Sequence, residues 1–334
     1  FLCCKKCLKR RSINMRIFVT GGSGFIGSAL LKSISNTENF ISAISRSDCD
    51  CLDSIDLPIK GDIGRLNENG KLGKTLESVL ENTDVVVHMA GRAHMVVDDS
   101  TSPLAEFRRI NRDATLSLAK IAARSKVKRF IFLSSIGVNG NQNSKPFTER
   151  DEPNPVADYA ISKYEAEQGL LGLSEEVDMD VVIIRPPLVY GPNAPGNFNT
   201  LLRWILKGVP LPFGLIKNKR SFIALDNLTD FIIHCLNYKD TPLACNQVFL
   251  VSDGEDVSTS QFLRKVSKAV RSKTILLPIP VSTLQFILRV IGKGNIAERL
   301  FDSLQVDNSK AKELLNWQPI ITMDKQLKKI AKNL

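Results

Sequence analysis

Tyr159 and Lys163 are separated by Ala160-Ile161-Ser162. An i, i+4 spacing puts both side chains on one face of a helix. A phenol with a pKa of about 10 is a poor base at neutral pH. A neighbouring ammonium stabilises the phenolate and makes it a usable acid and base. Ser134 and Ser135 close the apolar run at 130–134. A hydroxyl at the carboxyl end of a buried strand can hydrogen-bond an oxygen that gains or loses a proton. Taken alone, Y-x-x-x-K reads as a solvated helical Tyr and Lys. The serine pair before it, and a glycine cluster further upstream, make the combination specific.

That cluster is Thr20-Gly21-Gly22-Ser23-Gly24-Phe25-Ile26-Gly27, between an apolar run at 16–20 and a helical pattern at 25–35. Gly21 permits a tight turn, Gly24 lets backbone approach a pyrophosphate, and Gly27 lets helix and strand pack closely. Ser23, Phe25 and Ile26 complete the loop and the first turn. The helix N-terminus then offers free N–H groups to phosphates. A dinucleotide is the expected ligand. NAD enzymes usually carry a carboxylate at the end of the second strand for the ribose 2′-hydroxyl. Ser45-Arg46-Ser47 stands here instead, with Asp48 close behind. A guanidinium at Arg46 binds a 2′-phosphate, so NADP is the expected cofactor, with NAD as the alternative. Asp62, followed by Ile63, is a candidate partner for the adenine amine, and Lys163 for the nicotinamide ribose.

The positioning elements follow from apolar patterning. Short β-branched or aromatic runs at 16–20, 40–45, 84–89, 130–134 and 179–184 alternate with helical patterns at 25–35, 74–81, 103–124 and around Tyr159. This alternation predicts an α/β fold, a Rossmann doubly wound parallel sheet. Beyond Arg185, prolines at 186, 187, 192, 195, 210 and 212 break long periodicity. Helices are expected at 198–207, 226–237, 259–271, 281–292 and 308–315, and a strand at 247–251. The expected division is a dinucleotide-binding domain at 15–185 plus about 221–251. A smaller, mostly helical substrate lobe takes 186–220 and 252–334.

The chain has 334 residues, 43% hydrophobic and 24% charged, which excludes a disordered or fibrous protein. Its net charge is +10. Much of the excess lies in Lys5, Lys6, Lys9, Arg10 and Arg11, in a stretch without acids. Residues 1–14 are expected to be a disordered leader or remnant outside the fold, and no nucleic-acid partner is expected. Cys3, Cys4 and Cys7 are followed by no matching His/Cys cluster, so no metal is expected. No signal-peptide pattern is present, and the expected location is the cytoplasm. The apolar stripe at 281–292, with Arg289 and Lys293 nearby, is expected in a core or a dimer interface rather than on a membrane.

The stretches VTGGSGFIG (19–27), VVHMAGRAH (86–94), Asn111 with Ala114-Thr115, FLSSIGVNG (132–140), YAISK (159–163), RPPLVYGP (185–192) and RSFIALDNL (220–228) resemble the extended short-chain dehydrogenase/reductase family. The resemblance is to its NAD(P)-dependent nucleotide-sugar epimerase/dehydratase group, in particular a UDP-glucose 4-epimerase-like subgroup that includes 4-keto-sugar reductases. It implies that Ser135, Tyr159 and Lys163 are catalytic and that Asn111 supports the proton relay. It also implies that Met89, Ala90, Gly91 and Pro186 line the cofactor, and that Arg220 clamps a substrate diphosphate. A homodimer built on helices 103–124 and 158–172 is implied as well.

Dehydratases of the group carry Asp-Glu after the catalytic hydroxyl residue; Ile136-Gly137 stand there in this chain, which speaks against dehydration. Asn139 replaces the usual tyrosine of V-Y-G, and Leu188 replaces an asparagine that binds substrate. Asn197 is a candidate replacement. The expected activity is oxidation–reduction at C4 of a nucleotide-activated sugar, for surface polysaccharide. Arg46 leans toward an NADPH-dependent 4-keto reductase, with a 4-epimerase holding NAD tightly as the alternative. A non-catalytic dinucleotide-binding regulator or scaffold is the reading from another class.

Overall fold

The computed structural model describes residues 15–46, 50–93, 103–290 and 300–334. The leader 1–14, Ser47, Asp48 and the end of the 281–292 pattern lie outside them. Seven strands form one parallel sheet. They are β1 (Arg16–Thr20), β2 (Phe40–Ser45), β3 (Leu57–Lys60), β4 (Val85–His88), β5 (Arg129–Leu133), β6 (Asp180–Arg185) and β9 (Gln247–Leu250), in the order β3-β2-β1-β4-β5-β6-β9. The order reverses between β1 and β4. There the connections leave in opposite directions and open a crevice beyond the strand ends.

Alternation along each strand divides the core between the two faces. Ile17, Val19, Val85, Val87, Ile131, Val182 and Ile184 pack against α1 (Phe25–Ile34) and α7 (Leu225–Leu236). Phe18, Val86, Phe130, Phe132, Val181 and Ile183 pack against α2 (Lys71–Leu80), α4 (Ala114–Arg124) and α5 (Asp158–Glu176). With both faces covered, the strands read as continuous apolar runs.

The helical pattern at 103–124 is not one helix. It divides into α3 (Pro103–Arg108), a π-helical turn (Arg109–Asp113) and α4. Asn111 sits in the π-turn and is fully buried. Such turns add one residue and release a backbone carbonyl from the regular ladder. Here the carbonyl of Asn111 accepts the Thr115 hydroxyl at 2.7 Å.

The second lobe is built from a two-stranded pair, β7 (Leu188–Tyr190) with β8 (Phe222–Ala224), and from α6 (Asn197–Leu206), α8 (Thr259–Ala269) and α9 (Val281–Val290). Its core stacks Phe222 on Phe262 at 4.3 Å, beside Tyr190 and Phe198. Farther on, α10 (Ser309–Leu315) and Trp317 join the sheet core against Phe231 and Phe249, while α11 (Met323–Lys332) returns to the lobe. Among the described residues no helix is long and apolar enough to cross a membrane.

Candidate active site

The glycine turn sits at the carboxyl end of β1. Gly21 has φ +73°, and a Cβ there would lie 2.7 Å from the Ala90 nitrogen. A Cβ on Gly27 would overlap the Gly21 carbonyl. Only glycine fits either position. Gly24 is the N-cap of α1 and brings no capping side chain, so the first-turn N–H groups keep their donor capacity. A cavity of about 590 Å³ extends from this turn to the ends of β2 and β3. Gly21, Ser23, Gly24, Arg46, Asp62, Ile63, Met89, Ala90 and Gly91 all line it. Phe25 faces elsewhere, into a groove shared with α7, and Ile26 packs against the sheet core. The Pro186 carbonyl accepts the Ile136 N–H at 3.0 Å, tying the end of β6 to the turn after Ser135.

This cradle fits a dinucleotide: bare backbone at the phosphate turn, a helix N-terminus, and a deep slot with cationic walls. Asp62 accepts the Gly64 N–H at 3.0 Å and lies 3.7 Å from Arg65. Arg65, Arg92 and Arg109 join Arg46 around the slot. Glu106 pairs with Arg92 at 3.1 Å and Arg109 at 2.7 Å. Nothing in the glycine pattern pointed to these three arginines, because they reach the slot from the turn after β3, the end of β4 and the π-turn.

Beside the cradle, one chain of polar groups locks three elements. The Ala90 N–H donates to Thr20 Oγ1 at 3.2 Å, and Thr20 Oγ1 lies 2.6 Å from His88 Nδ1. His88 Nε2 lies 2.8 Å from Thr115 Oγ1, whose proton goes to the Asn111 carbonyl. Thr115 therefore accepts from His88, so the imidazole carries its proton on Nε2 and accepts from Thr20 on Nδ1. Full burial, helped by the Lys163 charge, pushes the His88 pKa down to about 3, so the ring stays neutral. Asn111 in turn accepts the Arg92 N–H at 2.8 Å and donates to Ser162 Oγ at 3.0 Å.

Ser135 follows β5, and Tyr159 and Lys163 stand on the first two turns of α5. A Cβ built on Gly137 would lie 3.4 Å from both Ser135 Oγ and Ala160 Cβ, so Gly137 stands between the strand-end hydroxyl and the first turn of α5. Ser135 Oγ accepts the Gly137 N–H at 3.1 Å. The adjoining Ser134 Oγ is buried and has no hydrogen-bond partner. The Tyr159 ring meets Phe107 edge-on at 6.3 Å. Lys163 Nζ donates to the Leu133 carbonyl at 2.9 Å and lies 4.4 Å from the Phe132 ring centroid.

Electrostatics here differ from the simple expectation that Lys163 lowers the phenol's pKa. Burial pushes Tyr159 up to about 12 and Lys163 down to about 8. Desolvation drives both shifts, and at Lys163 the Glu167 charge opposes it.

Arg220 Nη1 donates to the Asp302 carbonyl at 2.9 Å. Asp302 belongs to the wall of a cavity of about 730 Å³ that also includes Asn139, Gly140, Gln285 and Arg289. Arg220 thus braces that wall. The side chain of Asn197 lies outside the described residues. Asn139 Oδ1 accepts Arg185 Nη1 at 2.9 Å, and Arg185 Nε donates to both Glu167 oxygens at 3.1 Å. The asparagine that replaces tyrosine in V-Y-G is therefore part of a buried ionic network.

The family model for the NAD dependent epimerase/dehydratase family matches residues 17–248. A UDP-glucose 4-epimerase of Vibrio cholerae is 42% identical over 332 residues, which cover 97% of each chain. Among solved structures, the UDP-glucose 4-epimerase of Thermotoga maritima with UDP-glucose superposes with a TM-score of 0.74 at 22% identity, covering 96% of this chain and 98% of that one. The UDP-glucuronic acid 4-epimerase of Bacillus cereus in complex with NAD gives the same score, identity and coverage.

Proposed function

The chain belongs to the NAD-dependent epimerase/dehydratase family, and we propose that within it the protein is a UDP-hexose 4-epimerase that works by oxidation and re-reduction at C4. The observation that carries this reading is the cradle that fits a dinucleotide at the carboxyl ends of β1, β2 and β4, with only Gly137 between the Ser135 hydroxyl and the first turn of the helix that bears Tyr159. The near full-length likeness to the Vibrio cholerae UDP-glucose 4-epimerase supports the choice of substrate class.

Each residue has a distinct task. Gly21, Gly24 and the first turn of α1 hold the pyrophosphate, and Asp62 with Ile63 faces the adenine end. A bound nicotinamide supplies the acceptor and donor of the C4 hydrogen. Ser135 hydrogen-bonds the C4 oxygen. The Tyr159 hydroxyl takes the C4 hydroxyl proton on oxidation and returns it on reduction. Lys163 turns its ammonium from the Leu133 carbonyl toward the nicotinamide ribose, where its charge stabilises the phenolate. Asn111 holds the backbone of Arg92 and the Ser162 hydroxyl in place behind them. Ile136-Gly137 stand where dehydratases of the group carry Asp-Glu, so the reaction lacks that pair for removing a C5 proton and stops short of dehydration.

One observation favours a second reading. Arg46 and Arg65 flank the adenosine end of the slot, and guanidinium groups bind a 2′-phosphate well. That chemistry suits an exchangeable NADPH and net reduction of a 4-keto sugar. Mass spectrometry of the cofactor retained on purification, followed by two assays, separates the readings. The epimerase reading expects retained NAD and UDP-glucose/UDP-galactose interconversion without net cofactor turnover. Net NADPH consumption with UDP-4-keto-6-deoxy-N-acetylglucosamine would replace it with the reductase. Inertness in both assays with the slot filled would reject C4 chemistry.

A further inference from the structure

The second lobe concentrates positive charge. Residues 198–220 contain five Lys/Arg and residues 259–290 contain six, and neither stretch contains an Asp or Glu. Since the whole chain is only +10, the remainder is slightly acidic. Arg203, Lys207, Lys268, Arg271, Lys273 and Arg289 are all exposed. The same stretches expose large apolar side chains. Phe286 and Val290 are each 69% exposed and Ile275 63%; Trp204, Leu206 and Ile287 are also out in solvent.

These residues are held on a rigid frame. The segment around Leu211 pairs with 275–277 through the Leu211 N–H to the Ile275 carbonyl and the Leu277 N–H to the Leu211 carbonyl. After Pro280 the chain enters α9, which anchors to the lobe core through Leu284. Phe286, Ile287 and Val290 then stand on the outward side of α9, at i, i+1 and i+4. Leu206 shares a groove of about 910 Å³ with Lys268, Arg271, Lys328 and Lys332. Asp324 also lines that groove and pairs with Lys265 at 3.0 Å, so cations outnumber acids there, in the same lobe as the exposed apolar side of α9.

We propose that this face docks on an anionic lipid bilayer, with Phe286, Ile287 and Val290 inserted at the headgroup level and the surrounding Lys and Arg on lipid phosphates. Charge complementarity selects the occupant. A second copy meeting this face about a two-fold axis would bring cation against cation. An anionic surface suits the excess of cations, and apolar insertion adds to it. The other side of α9 supplies Gln285 and Arg289 to the cavity braced by Arg220. Docking sets that cavity close to the lipid surface. The inference does not depend on the reaction assigned above.

Co-sedimentation of the full chain with vesicles tests it. The protein is expected to pellet with vesicles of equal parts phosphatidylglycerol and phosphatidylcholine, and to stay in solution with phosphatidylcholine alone. The Phe286→Ser/Val290→Ser variant is expected to bind about tenfold or more weakly, with an unchanged thermal midpoint and elution volume. Lys268→Gln/Arg271→Gln leaves the apolar face intact and is expected to lose about five-fold per charge removed. Equal pelleting with both vesicle types, or with neither, overturns the proposal. So does parent-like binding by both variants. A parent dimer that Phe286→Ser/Val290→Ser converts to monomer would assign the face to a second copy instead.

Discussion

Lys163 and Asn111 converge on Gly91: a Cβ built there would lie 3.2 Å from Lys163 Nζ and 3.1 Å from Asn111 Oδ1. Both neighbours are already engaged. Asn111 is held by the backbone of Arg92 and by Ser162, and Lys163 is sheathed by Phe132 and the Leu133 carbonyl. Gly91→Ala is therefore expected to displace the ammonium rather than unfold the chain. Misplacing a positioning group by about 1 Å costs on the order of 100-fold in rate. Steady-state kinetics should show that loss in kcat/KM with a thermal midpoint within a few degrees of the parent. Parent-like kinetics would show that Lys163 needs no such placement.

Tyr159→Phe removes one oxygen and keeps the ring that packs edge-on against Phe107. Losing a positioned acid/base group costs about 100- to 10,000-fold. Turnover is expected to fall by that factor while cofactor retention and melting temperature stay put. A variant that still turns over at the parent rate would leave the chain as a dinucleotide-binding scaffold.

His88 makes stability depend on pH in a definite direction. Its folded pKa is about 3, against 6.5 for the free side chain. Between those values the unfolded chain binds the extra proton, so the native state loses stability as pH falls from 6.5 toward 3. The loss reaches about 3 kcal/mol by pH 4.5 and about 5 kcal/mol below pH 3. Urea unfolding of the parent and of His88→Gln at pH 7 and pH 4.5 isolates this contribution from that of the carboxylates. The variant should be less stable at pH 7 and should lose about 3 kcal/mol less between the two pH values. An identical pH slope in both proteins would mean that the buried imidazole is not held neutral.

Apolar patterning made the frame legible; the glycine cluster stands at the turn between β1 and α1, and Y-x-x-x-K on the first turns of α5. The run at 40–45 coincides with β2, and the 281–292 pattern begins α9 at Val281. What stayed hidden was the pairing of buried polar atoms. His88 takes one partner from β1, 68 residues away, and another from α4, 27 residues away. Periodicity marks such positions as buried but does not say which donor meets which acceptor. The π-turn at Asn111 was invisible for a related reason. No Gly or Pro interrupts residues 104–124, and the extra residue is held by tertiary hydrogen bonds rather than by local propensity. Asn139 looked like a lost sugar contact, yet its partner Arg185 lies 46 residues on.

That partner belongs to an ion pair with Glu167 in which both side chains are almost completely buried, 5% and 2% exposed. Glu167 stands one turn beyond Lys163 on α5, and its charge raises the Lys163 pKa against the effect of burial. Breaking a buried pair by removing one partner costs about 3–5 kcal/mol, because the other charge is stranded. Glu167→Gln is expected to lose that much in urea unfolding, whereas Glu167→Leu/Arg185→Met should lose less. If the double variant were the less stable of the two, the stranded charge would not be the cause.

Arg46 offers a test of cofactor choice that leaves the reacting groups untouched. It stands at the end of β2 on the wall of the cavity beside the glycine turn, which Arg65 also lines. Arg46→Glu replaces a phosphate donor with a carboxylate that accepts from a ribose 2′-hydroxyl and repels a 2′-phosphate. The charge-assisted bond at stake is worth about 1.5–3 kcal/mol, which is on the order of 10- to 100-fold in affinity. Titrations followed by nicotinamide fluorescence should show NADPH binding weakened by that factor and NADH binding held or improved. Equal weakening of both would mean that Arg46 grips the shared adenosine half and does not select between them. Indifference of both would remove Arg46 from the cofactor site.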